Sequence, residues 1–361
     1  VVLGGTGLFG SAAVELLRAE GMAPLVAARR AAPHRGGPID LQLNAEDPAA
    51  LRTALLPGDV VLDAAGPFQE RSVALVEAAL QVGFDVVDLS DSLAYFLKLD
   101  ALRLAIERQG IRVLTSCSSV TTLLTALVLA SGAKDPIRVS VFLAPASRVT
   151  ATAGTGGALR HSLGKSIRVL RGGKLVTALG WRESRPFVMP PPIGRARGFL
   201  LESVHSATLP RIFPTLRDAD FWVDTRVPGL NAILQLLARV PAVAAPVLRA
   251  TRGANWVPRT FGSLAGGMMA EIEDASGTVT QATVSATGCS YLAAVAPAFL
   301  AVRAIASDRF PERGLVPHDR HVDRDELFAY LRRLGIECTF AIVRGFSQDA
   351  GAGRNRWRRP A

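Results

Sequence analysis

The sequence predicts an α/β protein: a doubly wound parallel sheet, a second α+β domain, and C-terminal helices that return to the first domain. Three observations predict it. Short apolar runs alternate with helical-period stretches over roughly the first 120 residues. Four glycines crowd into residues 4–10, GGTGLFG, directly after the first apolar run. Past the helix-like TTLLTALVLASGAKD the texture changes to strand-like alternation broken by Gly and Pro, and helical periodicity resumes near residue 291.

The alternation reads, in order, VVLGG, SAAVELLRAEG, APLVAARR, DPAALRTALL, DVVLDAAG, SVALVEAALQVG, DVVDLS, LDALRLAIERQG and IRVLTSC. The continuous Val/Leu character of VVLD and VVDL suits parallel strands covered on both faces. Gly21, Gly83 and Gly110 stand where helices should stop. Ser118 and Ser119 are expected to cap a helix starting near Val120. IRVSVFLAP and GTVTQATVSATG read as strands of a mostly antiparallel middle region, and PAFLAVRAIA and DRDELFAYLRRLG as helices, the latter capped by Asp323 or Asp325. The expected domains are 1–125 (nucleotide binding), 126–290 (α+β, for substrate and dimerisation), 291–345 (a helical segment packing back on the first) and 346–361 (a disordered Arg-rich tail).

Gly5-Thr6-Gly7-Leu8-Phe9-Gly10 is G-x-G-x-x-G between a strand and a helix, the context in which this pattern cradles a dinucleotide. The expected roles are a tight turn at Gly5, close approach of a pyrophosphate at Gly7 and helix–strand packing at Gly10. This makes the first domain Rossmann-type, with the pyrophosphate at the helix N-terminus. The second strand ends in Arg29 and Arg30 with no acid to take a ribose 2′-hydroxyl, so guanidinium contacts to a 2′-phosphate, with His34 or Arg35 nearby, point to NADP. Asp40 is a candidate for the adenine region. Ala65, Gly66, Pro67 and Phe68, after the fourth strand, are expected to wall the nicotinamide ribose.

The net charge of +10 comes mostly from scattered Arg, which argues against nucleic acid as a partner. Cys117, Cys289 and Cys338 have no paired spacing, so neither disulfides nor a cysteine-ligated metal site is indicated and a reducing cytoplasm fits. The start carries no signal-peptide pattern and no Met, so the true N-terminus is expected to be missing. The apolar windows 230–248 and 291–306 are interrupted by Arg and Pro. Buried or surface-lying helices fit them, with membrane-surface contact at 230–248 as the lesser alternative.

GGTGLFG, DVVLDAAGPFQ, VALVEAALQVGFDVVDLSD and IRVLTSCSSVTTLLTALV together resemble the saccharopine dehydrogenase-like family of oxidoreductases in order and spacing over about the first 130 residues. GTGGALRHSL, GW before RPF, PAFLAVRAIA and LFAYLRRLGIE resemble its second domain and returning helices more diffusely. The chain departs from the family at Thr121-Thr122, where Pro-Gly is usual, and at Val86, where Tyr is usual. The resemblance implies an NADP-binding Rossmann domain, a second domain covering the nicotinamide end, and hydride transfer to a small-molecule C=N, C=O or activated C=C substrate.

The candidates for the proton-transfer partner are Asp88 and Cys117, among the strand-end residues Asp88, Asp91, Cys117, Ser118 and Ser119; His161 and His205 are alternatives in the second domain. A Tyr-x-x-x-Lys pair of the short-chain dehydrogenase kind is absent, since Tyr95 and Lys98 are wrongly spaced. His318-Asp319-Arg320-His321 reads as a solvated loop, so no metal is expected. The competing function is a catalytically silent NADP-binding or membrane-surface partner protein, and a homodimer is compatible with either.

Overall fold

A computed structural model describes residues 1–30, 38–240, 256–343 and 345–346. The predicted alternation becomes a seven-stranded sheet built from β1 (Val2–Leu3), β2 (Val26–Ala28), β3 (Leu41–Gln42), β4 (Val60–Asp63), β5 (Asp85–Asp88) and β6 (Arg112–Leu114), with one late strand. The second sheet takes β7 (Pro136–Ala144), β8 (Ser166–Arg171), β9 (Lys174–Leu179), β10 (Ser184–Val188), β11 (Arg195–Leu201), β12 (Asp218–Val223), β13 (Ala265–Asp274) and β14 (Val279–Thr287). From the C-terminal segment, β15 (Gly314–Leu315) joins the first sheet and β16 (Glu337–Val343) the second.

The first sheet is parallel throughout, in the order β15-β6-β5-β4-β1-β2-β3. This is the doubly wound order in which the chain reverses direction at β1/β4, and ligands bind such sheets outside the carboxyl ends at that reversal. The second sheet runs β10-β11-β12-β7-β13-β14-β16, with the β8–β9 hairpin attached to β12. Its pairs are antiparallel except β7 with β12.

Each face of the parallel sheet is closed by apolar side chains. Leu3, Val61, Leu75, Val86 and Val113 make one cluster. Val2, Val14, Leu62, Leu123, Leu127 and Phe299 belong to the other, which continues without a break into Val139, Val141, Met268 and Ala270 of the second sheet. The returning helix Ala296–Ala306 runs against the first helix (Leu8–Ala19) and against β4 and β5, and Phe299 stacks on Tyr330 at 4.8 Å. Residues 347–361 of the predicted tail and 241–248 of the 230–248 window lie outside the described residues.

Local signals explain most boundaries. Gly83 and Gly110 end their helices at φ 94° and 72°, a region open to glycine. Asp323, rather than Asp325, caps the last helix by accepting from Glu326 N–H at 2.8 Å. The expected serine cap after β6 is corrected: residues Ser119–Leu123 form one wide π turn leading into the helix Leu124–Ala130, and the Ser118 side chain makes no capping bond.

A buried ion cluster fixes the carboxyl end of β4. Arg71 donates to Asp63 Oδ2 at 2.9 Å, to the Ala65 carbonyl at 2.7 Å and to Glu46. Lys98 Nζ in turn donates to the Arg71 carbonyl at 3.1 Å. Asp63 is fully enclosed and Arg71 nearly so, so removing one partner strands a charge. Arg71→Met is therefore expected to lower unfolding stability by about 3 kcal/mol or more. The double variant Arg71→Met with Asp63→Asn should recover part of that loss in denaturant titrations; no recovery would show that the ion pair is not the source.

Candidate functional site

The glycine-rich turn is built backbone against backbone. Gly4 takes φ +70°, and a Cβ there would lie 2.8 Å from Ala65 N at the end of β4. A Cβ at Gly10 would lie 2.2 Å from the Gly4 carbonyl oxygen, so the first helix can lean onto the turn only with glycine at that point. Gly5 faces Val26 Cγ1 with 2.9 Å for a Cβ, so its reason is packing, while the left-handed turn expected of it belongs to Gly4. Gly7 is the N-cap of the helix, exposed, and brings no side-chain bond to the first turn. Thr6, Leu8 and Phe9 are half-buried around it. The open helix N-terminus, with no acid in its first turn, can receive a phosphate.

Arg29 and Arg30 follow β2 immediately, exposed, beside the turn's strand. Among the described residues neither guanidinium has an ion-pair or hydrogen-bond partner; only the Arg29 carbonyl is engaged, accepting from Gln42 Nε2 at 3.3 Å. His34 and Arg35 lie outside the described residues. Asp40 requires a correction. Its carboxylate accepts from Val26 N–H at 2.7 Å, and its own N–H bonds the Val26 carbonyl, so it secures the amino end of β2, away from the crevice at the carboxyl ends.

The Ala65-Gly66-Pro67-Phe68 segment leaves β4 under the restraint of Arg71. Asp63 Oδ1 accepts from Ala65 N–H at 2.9 Å, and Phe68 packs on Tyr95 with ring centroids 5.4 Å apart. The second domain reaches this segment through the helix Ala153–Ser162. A Cβ on Gly157 would stand 3.1 Å from Pro67 Cβ, and His161 Nδ1 is 3.9 Å from Glu70. A glycine-rich helix of the second domain thus covers the segment that leaves β4. His161 is half-buried there, whereas His205 is enclosed, bonded to Ser203 Oγ at 2.7 Å and held at about 4 by burial.

Deeper in, the ends of β5 and β6 are polar and buried. Asp88 is fully enclosed; burial raises its carboxyl to about 7, against the pull of the Ser116 and Ser90 amides that donate to Oδ1 at 2.8 and 2.9 Å. Its Oδ2 makes no hydrogen bond of ordinary geometry, although the Thr115 hydroxyl is near enough to draw its value down, and the hydroxyls of Tyr95, Ser116 and Ser118 have no partner. Asp91 is exposed and takes a bond from Gln69 at 2.9 Å. Cys117 belongs to the apolar core, and burial pushes its thiol up, which makes it a poor proton donor and corrects its candidacy.

Three features escaped the sequence. The Glu46–Arg71–Asp63 cluster joins residues with no motif spacing. His318 and His321, expected in a solvated loop, are buried, with rings 4.7 Å apart. His321 Nε2 donates to the Val316 carbonyl at 3.0 Å and Nδ1 accepts from Thr122 at 2.9 Å, while burial holds it at about 4. No third ligating side chain gathers with them among the described residues. Thr122, one of the two departures from the family pattern, is thus tied to the returning C-terminal segment; the pair Thr-x-x…His has no recognisable spacing that would have disclosed it.

Residues 1–114 match the family described as saccharopine dehydrogenase NADP binding domain. No curated protein matches the chain. Among solved structures, saccharopine dehydrogenase (L-Glu forming) from Saccharomyces cerevisiae is similar at 15% identity and a TM-score of 0.63, over 95% of this chain and 99% of that one. An amine dehydrogenase from Mycobacterium smegmatis aligns at 13% identity and a TM-score of 0.47, over 88% and 94%. At 15% identity the yeast likeness establishes a shared two-domain fold. The sequence likeness to that NADP binding domain therefore spans the amino-terminal domain, residues 1–114.

Proposed function

We propose that the protein is an NADP-dependent oxidoreductase that reduces a C=N, C=O or activated C=C group of a small molecule in a cleft between the two sheets. The observation that carries this reading is the coincidence of an open, glycine-built helix N-terminus with two unpartnered arginines at the end of β2, in a domain of the NADP-binding family. On this reading Gly5, Thr6, Gly7, Leu8, Phe9 and Gly10 hold the pyrophosphate, and Arg29 and Arg30 take the 2′-phosphate. Ala65, Gly66, Pro67 and Phe68 wall the nicotinamide ribose. NADPH supplies the hydride; this chain's part is to orient the cofactor, exclude water and provide a proton.

Asp88 is the proposed proton donor because its carboxyl keeps its proton near neutral pH and one oxygen makes no hydrogen bond of ordinary geometry. His161, half-buried beside Glu70, is the second candidate. The protein is proposed to work in the cytoplasm and is compatible with a homodimer.

Isothermal calorimetry should show Arg29→Ala weakening NADPH by about tenfold or more, the worth of a charge-assisted hydrogen bond, with NADH little changed. Equal losses for both would remove the 2′-phosphate assignment. In a panel of imines, ketones and enoyl thioesters, NADPH oxidation should appear with one class; tight binding without any turnover would favour the silent binder.

With that substrate, the rate is expected to fall as pH rises through about 7, where Asp88 loses its proton. Asp88→Asn should lower kcat by about a hundredfold or more and abolish that limb while leaving NADPH affinity intact. A retained limb that disappears instead in His161→Gln would transfer the role. The same shift has a stability sign. The folded value lies above the ordinary 3.8, so the native state binds more protons between about 4 and 7. Stability from this group therefore falls as pH rises across that window and levels off above it; Asp88→Asn should flatten the slope in thermal melts.

A further inference from the structure

We infer that the edge of the second domain carrying the helices Leu230–Arg239 and Trp256–Phe261 is a docking surface for an anionic phospholipid bilayer. This goes beyond the cofactor reading and does not depend on it.

The helix Leu230–Arg239 is apolar on both sides. Its inner face places Leu234 and Ala238 in a cluster with Leu163, Trp181 and Phe199. A surface helix ordinarily turns polar residues outward on the opposite side. Here that side carries Ile233, 56% exposed, and Leu236, 63% exposed, followed by Val240. Of the polar residues, Asn231 is consumed inward by Asp224 and Thr225, and Arg239 is exposed at the end of the helix.

The second helix belongs to the same edge. Ser147 Oγ accepts from Ser263 N–H at 3.0 Å and donates to the Arg226 carbonyl at 3.4 Å, joining the segments that flank the two helices. There Trp256 is 62% and Phe261 58% exposed, with Leu264 also outward. Isolated exposed apolar residues mean little, but a set gathered on one edge marks an interaction surface.

Charge identifies the occupant. From residue 225 to residue 270 the sequence has no Asp or Glu, although the chain holds 31 in all, and the described part of that stretch contains Arg226, Arg239 and Arg259. Large apolar side chains among arginines, with no acid to repel phosphate, are the composition of a helix lying in the headgroup region. No helix among the described residues is long and apolar enough to cross a membrane, so the contact is peripheral. A Cβ on Gly164 would stand 3.2 Å from Ala238 Cα. The docking helix therefore abuts the end of Ala153–Ser162, whose Gly157 meets Pro67, and a docked protein holds that contact near the lipid.

The test uses the full chain and sedimentation with vesicles of phosphatidylcholine alone or mixed with phosphatidylglycerol. The expected result is partition onto the mixed vesicles, weakening with salt, and little onto the neutral ones. Ile233→Glu with Leu236→Glu should reduce it about tenfold or more. Arg239→Gln with Arg259→Gln should reduce it by roughly fivefold per arginine. Unchanged thermal midpoints certify that the variants fold. Absence of wild-type partition, equal partition onto neutral vesicles, or indifference to both double variants overturns the inference. So does a concentration-dependent dimer that the glutamate variant dissociates while the vesicles capture nothing, since that assigns the face to a second copy. None of these outcomes touches NADPH affinity, which calorimetry reads separately.

Discussion

The contact between Gly10 and the Gly4 carbonyl, with room for no side chain, is the constraint on which the cofactor end of the molecule depends. It sets how closely the first helix approaches β1 and aims the open amides of that helix across the carboxyl ends of the sheet. Gly4 in turn is pressed against Ala64 and Ala65, so the turn and the segment after β4 are referenced to one another by main chain alone. Arg71 extends that reference outward by holding Asp63, Ala65 and Glu46 together. The proposed phosphate, ribose and nicotinamide positions are thus parts of one rigid corner.

Much of this corner was legible because its chemistry is local. A glycine pattern between a strand and a helix, arginines closing the next strand, and Gly-Pro-Phe after the fourth each occupy a few consecutive residues. The same holds for the helix stops at Gly83 and Gly110 and for the Asp323 cap. What could not be read is whatever depends on distant partners. Asp40 reads as an adenine-region candidate because nothing in its neighbours discloses the Val26 amide it serves. His318 and His321 sit in a polar run, and only the return of the chain to β6 buries them. β15 has two residues, too short for any period to register, and β16 follows a helix whose pattern overshadows it.

In the enclosed polar region behind β5 and β6, ordered and unsatisfied groups stand side by side. Backbone amides fix one oxygen of Asp88 while the other makes no hydrogen bond of ordinary geometry, and enclosure raises its pKa. Cys117, whose N–H donates to the Asp88 carbonyl at 2.8 Å, is equally buried and is held as packing. Proximity on the sheet does not by itself confer a role; the difference lies in which atoms remain unsatisfied.

The uninterrupted apolar core that runs from the parallel sheet into the antiparallel one has a mechanical consequence. Two lobes fused through shared interior cannot swing apart as jaws without exposing that interior to water. The piece that rests on Pro67 from the second domain is instead a peripheral helix containing Gly154, Gly156 and Gly157. The molecule is better pictured as a vault than as a clam.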